Sequence, residues 1–303
     1  MNNVLVVGSN GFIGQNICRK LTEQGMQVYA ADIAQSSKHN FFHTYNEFNV
    51  VKDSFESLVN EVDCVIYLVS TLLPQPSNLH VLRDVQENLA PVINLLDCVS
   101  RSLRCNKVIF ASSGGTIYGI HEEKISEDSF LDPKCSYGIM KLTVEKYLSL
   151  YSELYGIQTV SLRLSNPYGV GQDFNRPQGA VGVFLHKMLE NQPIEIWGDG
   201  SVVRDYVYID DVANAFVSAI KYQGKSDVFN IGMGMGTSLN QLLDLLFEIT
   251  GSMSVVSYTE SRTVDVPSNI LDISKASVGL SWSPSIELKS GLTKLFNLIK
   301  STG

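Results

Sequence analysis

The sequence is short of cysteine, has no basic run and has no long apolar segment. Its five cysteines, Cys18, Cys64, Cys98, Cys105 and Cys135, are an odd number with no C-x-x-C pair in a chain of 303 residues. That speaks against a disulfide-built scaffold or a zinc ribbon and predicts reduced thiols in a cytoplasmic protein. The five histidines are scattered and none stands at ligand spacing from a Glu or Cys, so no metal site is predicted. Charged residues make up only 18%, and 23 Lys and Arg against 31 Asp and Glu leave a net charge of −8. An acidic chain without a basic stripe is a poor match for nucleic acid or an anionic membrane, although a local site on it can still be positive. No stretch approaches the ~20 apolar residues of a membrane span. The first residues, MNNVLVVGSNG, carry no positive leader, which predicts no signal peptide.

The apolar residues, 44% of the chain, are arranged as alternating strands and helices. Residues 4–7, 28–31, 64–69, 108–111 and 159–164 are short runs that are apolar almost throughout. Strands of that kind belong in a parallel sheet covered on both faces. Between them, 12–24, 79–100 and 137–155 have helical periodicity, with Gly25 and Gly156 as stops and Pro91 as a break. Residues 33–50 are polar and carry no assignable element. The expected fold is α/β, a doubly wound parallel (Rossmann) sheet. After residue 164 the chain becomes rich in Gly, Pro, Asn and Asp. It returns to a helix at 210–221 and a strand at 228–231, followed by helices at 239–250 (N-cap Thr237 or Ser238) and near 286–299. We therefore expect a dinucleotide-binding domain of residues 1–164 with 207–231 returning to it, and a smaller mixed α/β lobe of 165–206 plus 232–303.

Between the first strand and helix lies Gly8-Ser9-Asn10-Gly11-Phe12-Ile13-Gly14. Glycines at this G-x-x-G-x-x-G spacing permit a tight turn and close approach of a pyrophosphate to backbone N–H groups at the positive end of a helix. Asp32 closes the second strand, where a carboxylate accepts from both ribose hydroxyls and repels a 2′-phosphate. The pair predicts NAD rather than NADP. Tyr137 and Lys141 form a Tyr-x-x-x-Lys pair about one helical turn apart on one face. An ammonium and a cationic nicotinamide both favour phenolate, so Tyr137 is a candidate base and Lys141 its tuning group.

Together these motifs resemble the extended short-chain dehydrogenase/reductases. Asn166-Pro-Tyr-Gly, Trp197-Gly-Asp-Gly and Arg204-Asp-Tyr-Val-Tyr-Ile-Asp-Asp narrow the resemblance to the NDP-sugar 4-epimerase branch, typified by UDP-glucose 4-epimerase. It covers essentially the whole chain. The resemblance implies that Tyr137 takes the proton of the sugar 4-hydroxyl. It places Asn49, Val50, Val69, Ser70 and Asn88 along the cofactor. It assigns Asn166, Arg204, Arg262 and Asp265 to the nucleotide-sugar substrate. The family's catalytic Ser or Thr falls on Gly114, which leaves Thr116 or Ser113 as the hydroxyl donor. Dehydratases of the family carry an Asp-Glu pair where this chain has Gly115 and Thr116, so elimination of water is not expected. Asn269 matches the position beside the sugar C2 substituent and implies tolerance of an N-acetyl group. The implied activity is epimerisation at C4 of a UDP-hexose or UDP-N-acetylhexosamine, with a 4-keto-sugar reductase as the alternative. The implied assembly is a homodimer formed through helices 79–100 and 137–155.

Overall fold

A computed structural model describes residues 1–33, 41–173, 179–260 and 266–302. The first half lays down β1 (Asn3–Val7), α1 (Phe12–Glu23), β2 (Gln27–Asp32), β3 (Thr44–Glu47), α2 (Glu56–Val59) and β4 (Cys64–Tyr67). Then come α3 (Pro74–Leu79), α4 (Val81–Asp84), a π-helical turn (Val85–Leu89), α5 (Ala90–Arg101), β5 (Lys107–Ser113), α6 (Ser136–Tyr155) and β6 (Gln158–Leu164). The second half adds β7 (Asn166–Tyr168), α7 (Ala180–Leu189), β8 (Ile194–Trp197), β9 (Val203–Tyr208), α8 (Ile209–Lys221) and β10 (Asp227–Ile231). It ends with β11 (Gly236–Ser238), α9 (Leu239–Thr250), β12 (Val256–Thr259), β13 (Ser268–Asn269), α10 (Ser274–Gly279) and α11 (Leu288–Thr302).

The central sheet has seven parallel strands in the order β10-β6-β5-β4-β1-β2-β3. Along β1, Val4 and Val6 pack with Ile17 and Leu21 of α1 and with α8, while Leu5 and Val7 pack with α5 and α6. A strand buried on both faces must be apolar at every position, which is why the pattern does not alternate. The strand order reverses between β1 and β4, and the crevice beyond the C-terminal ends of those strands is where such sheets bind ligands.

Two expectations need correction. Residues 44–47 form an edge strand, β3, pairing Tyr29–Asp32 with Thr44–Glu47. Its sequence, TYNE, lacks the apolar run of a central strand because only one neighbour and half its surface are covered. The predicted helix at 79–100 is four consecutive pieces that start earlier, at Pro74, and the irregularity falls at 85–89. Pro91 lies in the first turn of α5, where its missing N–H costs nothing, and the wider π-turn precedes it.

The smaller sheet has β9 at its centre, flanked by β11, β13 and β7, and β8 pairs with β12 beside it. Asp205 of β9, fully buried, accepts hydrogen bonds from Met233 N (2.7 Å), Gly234 N (3.0 Å), Leu271 N (3.3 Å) and the Ser165 hydroxyl (3.4 Å). One carboxylate thus fastens the ends of β6 and β10 to the smaller sheet. Burial pushes its pKa up to about 6, while the backbone donors act to lower it.

Candidate active site

The turn after β1 is shaped by what its glycines leave out. Gly8 has φ +89°, a left-handed conformation that favours glycine. A Cβ at Gly14 would stand 2.1 Å from the Gly8 carbonyl oxygen and 2.8 Å from Ser9 Cα. The turn can therefore fold onto the head of α1 only with glycine at 14. Gly11 is the N-cap of α1; no side chain caps the helix, and its first turn holds no acidic residue. The helix end thus presents Phe12, Ile13 and Gly14 N–H groups and a positive dipole to the crevice, the requirement for holding a pyrophosphate. Asp32 stands at the end of β2, its carboxylate oriented by Asn10 N (2.8 Å) and Ile33 N (2.8 Å). Asn10 donates through its side chain to Tyr45 of β3 (2.9 Å). These features fit the pyrophosphate and adenosine ribose of NAD. Asn49 lies in the turn after β3 with its side-chain carbonyl accepting from Val51 N (3.0 Å), and Val50 beside it is buried.

The acid–base pair is on α6, at the end of the sheet where β4 and β5 finish. Gly138 lets the helix touch the loop after β5: a Cβ there would meet the Thr116 carbonyl oxygen at 2.5 Å. Tyr137 is brought in this way to the side of the crevice that carries Ser113 and Ser70, both of which act to lower the pKa of its phenol. Lys141, 2% exposed, donates to the Ala111 carbonyl oxygen at 2.8 Å and lies 5.4 Å from the Tyr137 ring centre and 4.7 Å from that of Phe110. Val69 and Ser70 follow β4, and Val69 packs against Gly8. Asn88, on the π-turn, binds Thr71 N (2.8 Å) and the Thr71 hydroxyl (3.0 Å).

Burial dominates the electrostatics of the pair. Burial pushes the Tyr137 phenol up to about 12, and Cys135 and Asp84 add to the rise; Ser70 and Ser113 oppose it. Burial lowers Lys141 to about 8 against the opposing charges of Asp84 and Glu145. Burial outweighs the neighbouring ammonium here and leaves the phenol above its ordinary value.

The two hydroxyl candidates have different surroundings. Ser113 acts to lower the pKa of the Tyr137 phenol, whereas the Thr116 hydroxyl is buried with no hydrogen-bond partner among the described residues. A side chain at Gly114 is blocked, since its Cβ would lie 2.6 Å from Leu271 Cδ1 and 3.2 Å from the Arg163 carbonyl oxygen.

Beneath this loop runs a buried network that sequence reasoning did not identify. Arg163 forms a two-pronged pair with Glu145 (2.7 and 3.1 Å) and donates to the Tyr118 hydroxyl (2.7 Å). Ser112 donates to Glu145 (2.5 Å), and Tyr118 donates to Asn230 (2.7 Å). The signal was Glu145 one turn beyond Lys141, on the same face of the helix.

The smaller sheet supplies the opposite wall. Arg204 and Asn269 are register partners, and Asn166 pairs with Tyr206 two residues along the same strand, so the four share one face. Arg204 donates to the carbonyl oxygens of Val203 (2.9 Å) and Val266 (2.7 Å). Asn166 donates to the Asp205 carbonyl oxygen (3.0 Å). Asn269 is 2% exposed and its amide donates to the Gly114 carbonyl oxygen at 3.1 Å, joining this wall to the loop that follows Ser113. Its side-chain carbonyl, buried, has no partner among the described residues. Arg262 and Asp265 lie outside the described residues.

Comparisons with known proteins identify the family. The profile of the NAD dependent epimerase/dehydratase family matches residues 4–232. An Escherichia coli dTDP-4-dehydro-6-deoxyglucose reductase is 32% identical over 314 residues, covering 99% of this chain and 98% of its own. The structure of a Thermotoga maritima UDP-glucose 4-epimerase with UDP-glucose superposes with a TM-score of 0.91 at 34% identity, over 99% of both chains. A Thermus thermophilus UDP-glucose 4-epimerase with NAD gives 0.90 at 28% identity, over 99% of this chain and 100% of that one. With its glycine cradle, its acid after β2 and its Tyr137–Lys141 helix, the chain belongs to the NAD-dependent epimerase/dehydratase family of nucleotide-sugar enzymes, in the extended short-chain dehydrogenase/reductase class.

Proposed function

We propose that the protein inverts C4 of a UDP-hexose or UDP-N-acetylhexosamine through a transient 4-keto sugar. The observation that carries this reading is the Tyr137–Lys141 pair at the end of β5, joined through the Gly114–Asn269 hydrogen bond to a wall bearing Arg204, Asn166 and Asn269. Gly8, Asn10, Gly11, Phe12, Ile13, Gly14, Asp32, Asn49, Val50, Val69, Ser70 and Asn88 hold the cofactor. Bound there, NAD supplies a hydride acceptor that gives back what it takes.

The chain's own residues move the proton. Tyr137 receives it from the 4-hydroxyl and returns it, while Ser113 holds the same oxygen. A phenol of pKa about 12 is ionised in only about one molecule in 10⁵ at pH 7. Turnover therefore requires positive charge beside it in the loaded enzyme, and Lys141 and the nicotinamide ring are the sources. Arg204 meets the diphosphate, an anion the otherwise acidic protein has to attract locally. Arg262 and Asp265 remain assigned to phosphate and nucleoside ribose. Asn269 borders the C2 substituent, where its carbonyl, without a partner among the described residues, is suited to an amide N–H.

Incubating the protein with UDP-glucose, UDP-galactose and their N-acetyl forms, and following the products by NMR, tests the reading; it requires the C4 epimer of at least one. The full-length similarity to the E. coli reductase favours a second reading, reduction of an NDP-4-keto sugar. Stoichiometric loss of reduced nicotinamide would establish that instead.

We also propose a homodimer. Val81, Leu82 and Val85 are exposed beside α6, which itself exposes Ile139, Leu150 and Leu154. Light scattering at the mass of a monomer would refute it.

A further inference from the structure

α6 lacks a side-chain cap of its own at the N-terminus. Its first amides are satisfied from another part of the chain. Ser136 N donates to the Asn78 side-chain carbonyl at 2.8 Å, and Tyr137 N donates to the Ser77 hydroxyl at 3.0 Å. Ser77 lies in α3 and is completely buried. The position of Tyr137 therefore depends on the segment 74–89, which otherwise belongs to the cofactor side of the crevice.

One side chain ties that segment together. Asp84, the last residue of α4, is 0% exposed. One carboxylate oxygen accepts from Asn88 at 2.9 Å and the other accepts from the Ser136 hydroxyl at 2.7 Å. Through Asn88 the same carboxylate reaches Thr71, the neighbour of Ser70. No cation forms a salt bridge with it among the described residues, although burying a carboxylate is costly unless nearby charge compensates. Adjacent Arg83 is exposed and paired with Glu87.

We propose that Asp84 is a positioning residue of the Tyr137–Lys141 pair, holding the head of α6 to the cofactor-side segment through Ser136 and Asn88.

Asp84 also acts on the charge of Lys141. β5 offers it the Ala111 carbonyl and the Phe110 ring, neither of them ionisable. Its own helix offers Tyr137 and Glu145, and Glu145 is already engaged by Arg163 and Ser112. Of the two carboxylates acting on the lysine, Asp84 has the larger effect, favouring the ammonium against desolvation. Cys135, a further titratable group, is the N-cap of α6. A neutral residue at 84 removes that support, so Lys141 loses its proton at lower pH.

The test is an NMR titration of ¹³Cε-labelled lysines, with the Lys141 signal assigned by its absence in Lys141→Met. It needs no turnover, so it remains valid if the protein proves to be a reductase or acts on another sugar. Asp84→Asn is expected to lower the Lys141 midpoint by about one pH unit, a roughly tenfold loss of ammonium at a pH above it. Ser136→Ala keeps the charge and cuts the tie. It should leave the midpoint within a few tenths of a unit and speed amide exchange at Tyr137 and Gly138 by about tenfold. An unmoved midpoint in Asp84→Asn overturns the proposal. If that variant fails to fold, Ser136→Ala decides: wild-type exchange at Tyr137 means that Asp84 does not hold the helix, and the proposal falls.

Discussion

The Lys141 ammonium lies 5.4 Å from the centre of the Tyr137 ring while donating to the Ala111 carbonyl at 2.8 Å. The lysine is thus pinned to β5 and buried, which depresses its own pKa to about 8. Its stability consequence can be measured. A lysine whose folded pKa lies below the unfolded 10.5 costs stability while charged; the cost is full below pH 8 and disappears as pH rises through about 10.5. Over that window wild-type stability should gain about 3 kcal/mol relative to Lys141→Met. Denaturant unfolding of both proteins at pH 7 and pH 10 reads the difference. Parallel behaviour at the two pH values would show that the lysine is not desolvated.

The Tyr137 phenol should remain protonated to about pH 12 in the cofactor-free protein and ionise at lower pH once NAD is bound. The difference in phenolate absorbance between wild type and Tyr137→Phe isolates this group from the other tyrosines. An identical titration with and without NAD would mean that the bound cofactor does not tune the base.

Ser113→Ala should reduce kcat by about 10²-fold or more, as loss of a hydrogen-bond donor to a reacting oxygen does. Thr116→Ala should cost less than about fivefold. Steady-state kinetics of the two variants compare them directly, and the reverse order would reassign the hydroxyl.

Gly114→Ser restores the serine that the family pattern leads one to expect, yet it should destabilise by about 1–3 kcal/mol because of Leu271. The penalty should shrink by at least about 1 kcal/mol in a Leu271→Ala background. A double-mutant cycle of unfolding free energies reads the coupling; additive effects would show that the two sites do not touch.

Gly14→Ala should weaken NAD binding by about 100-fold, because the added Cβ lies 2.1 Å from the Gly8 carbonyl oxygen and must open the cradle. Calorimetric titration of the purified variant with NAD is the check, and wild-type affinity would mean that the turn is not the pyrophosphate site.

What could be read from the sequence was what is local. The Gly8–Gly14 turn, Asp32 and the Tyr137–Lys141 spacing are each written within one strand–helix unit, and the buried strands announce themselves by unbroken apolar runs. β3 escaped because an edge strand covered on one side needs no such run. The reason for glycine at 114 lies 157 residues away at Leu271, and no local pattern encodes it. Asn269, read as a substrate residue, also donates to the Gly114 carbonyl, a long-range contact of the same kind. Asp84 was hidden in the same way: its partner Ser136 is on another element, and only its spacing from Asn88 is visible in the chain.

The central claim is that hydride leaves C4 and returns to the same carbon on the opposite face. UDP-glucose carrying deuterium at C4, incubated with the NAD-loaded protein in ordinary water, tests it directly by NMR and mass spectrometry of the product. For UDP-glucose, or for whichever of the four sugars is turned over and carries the label, the account predicts a C4 epimer that retains the deuterium at C4, with no net change in reduced nicotinamide. Loss of the deuterium from C4 of the epimer, or a product formed only as reduced nicotinamide is consumed, would contradict it.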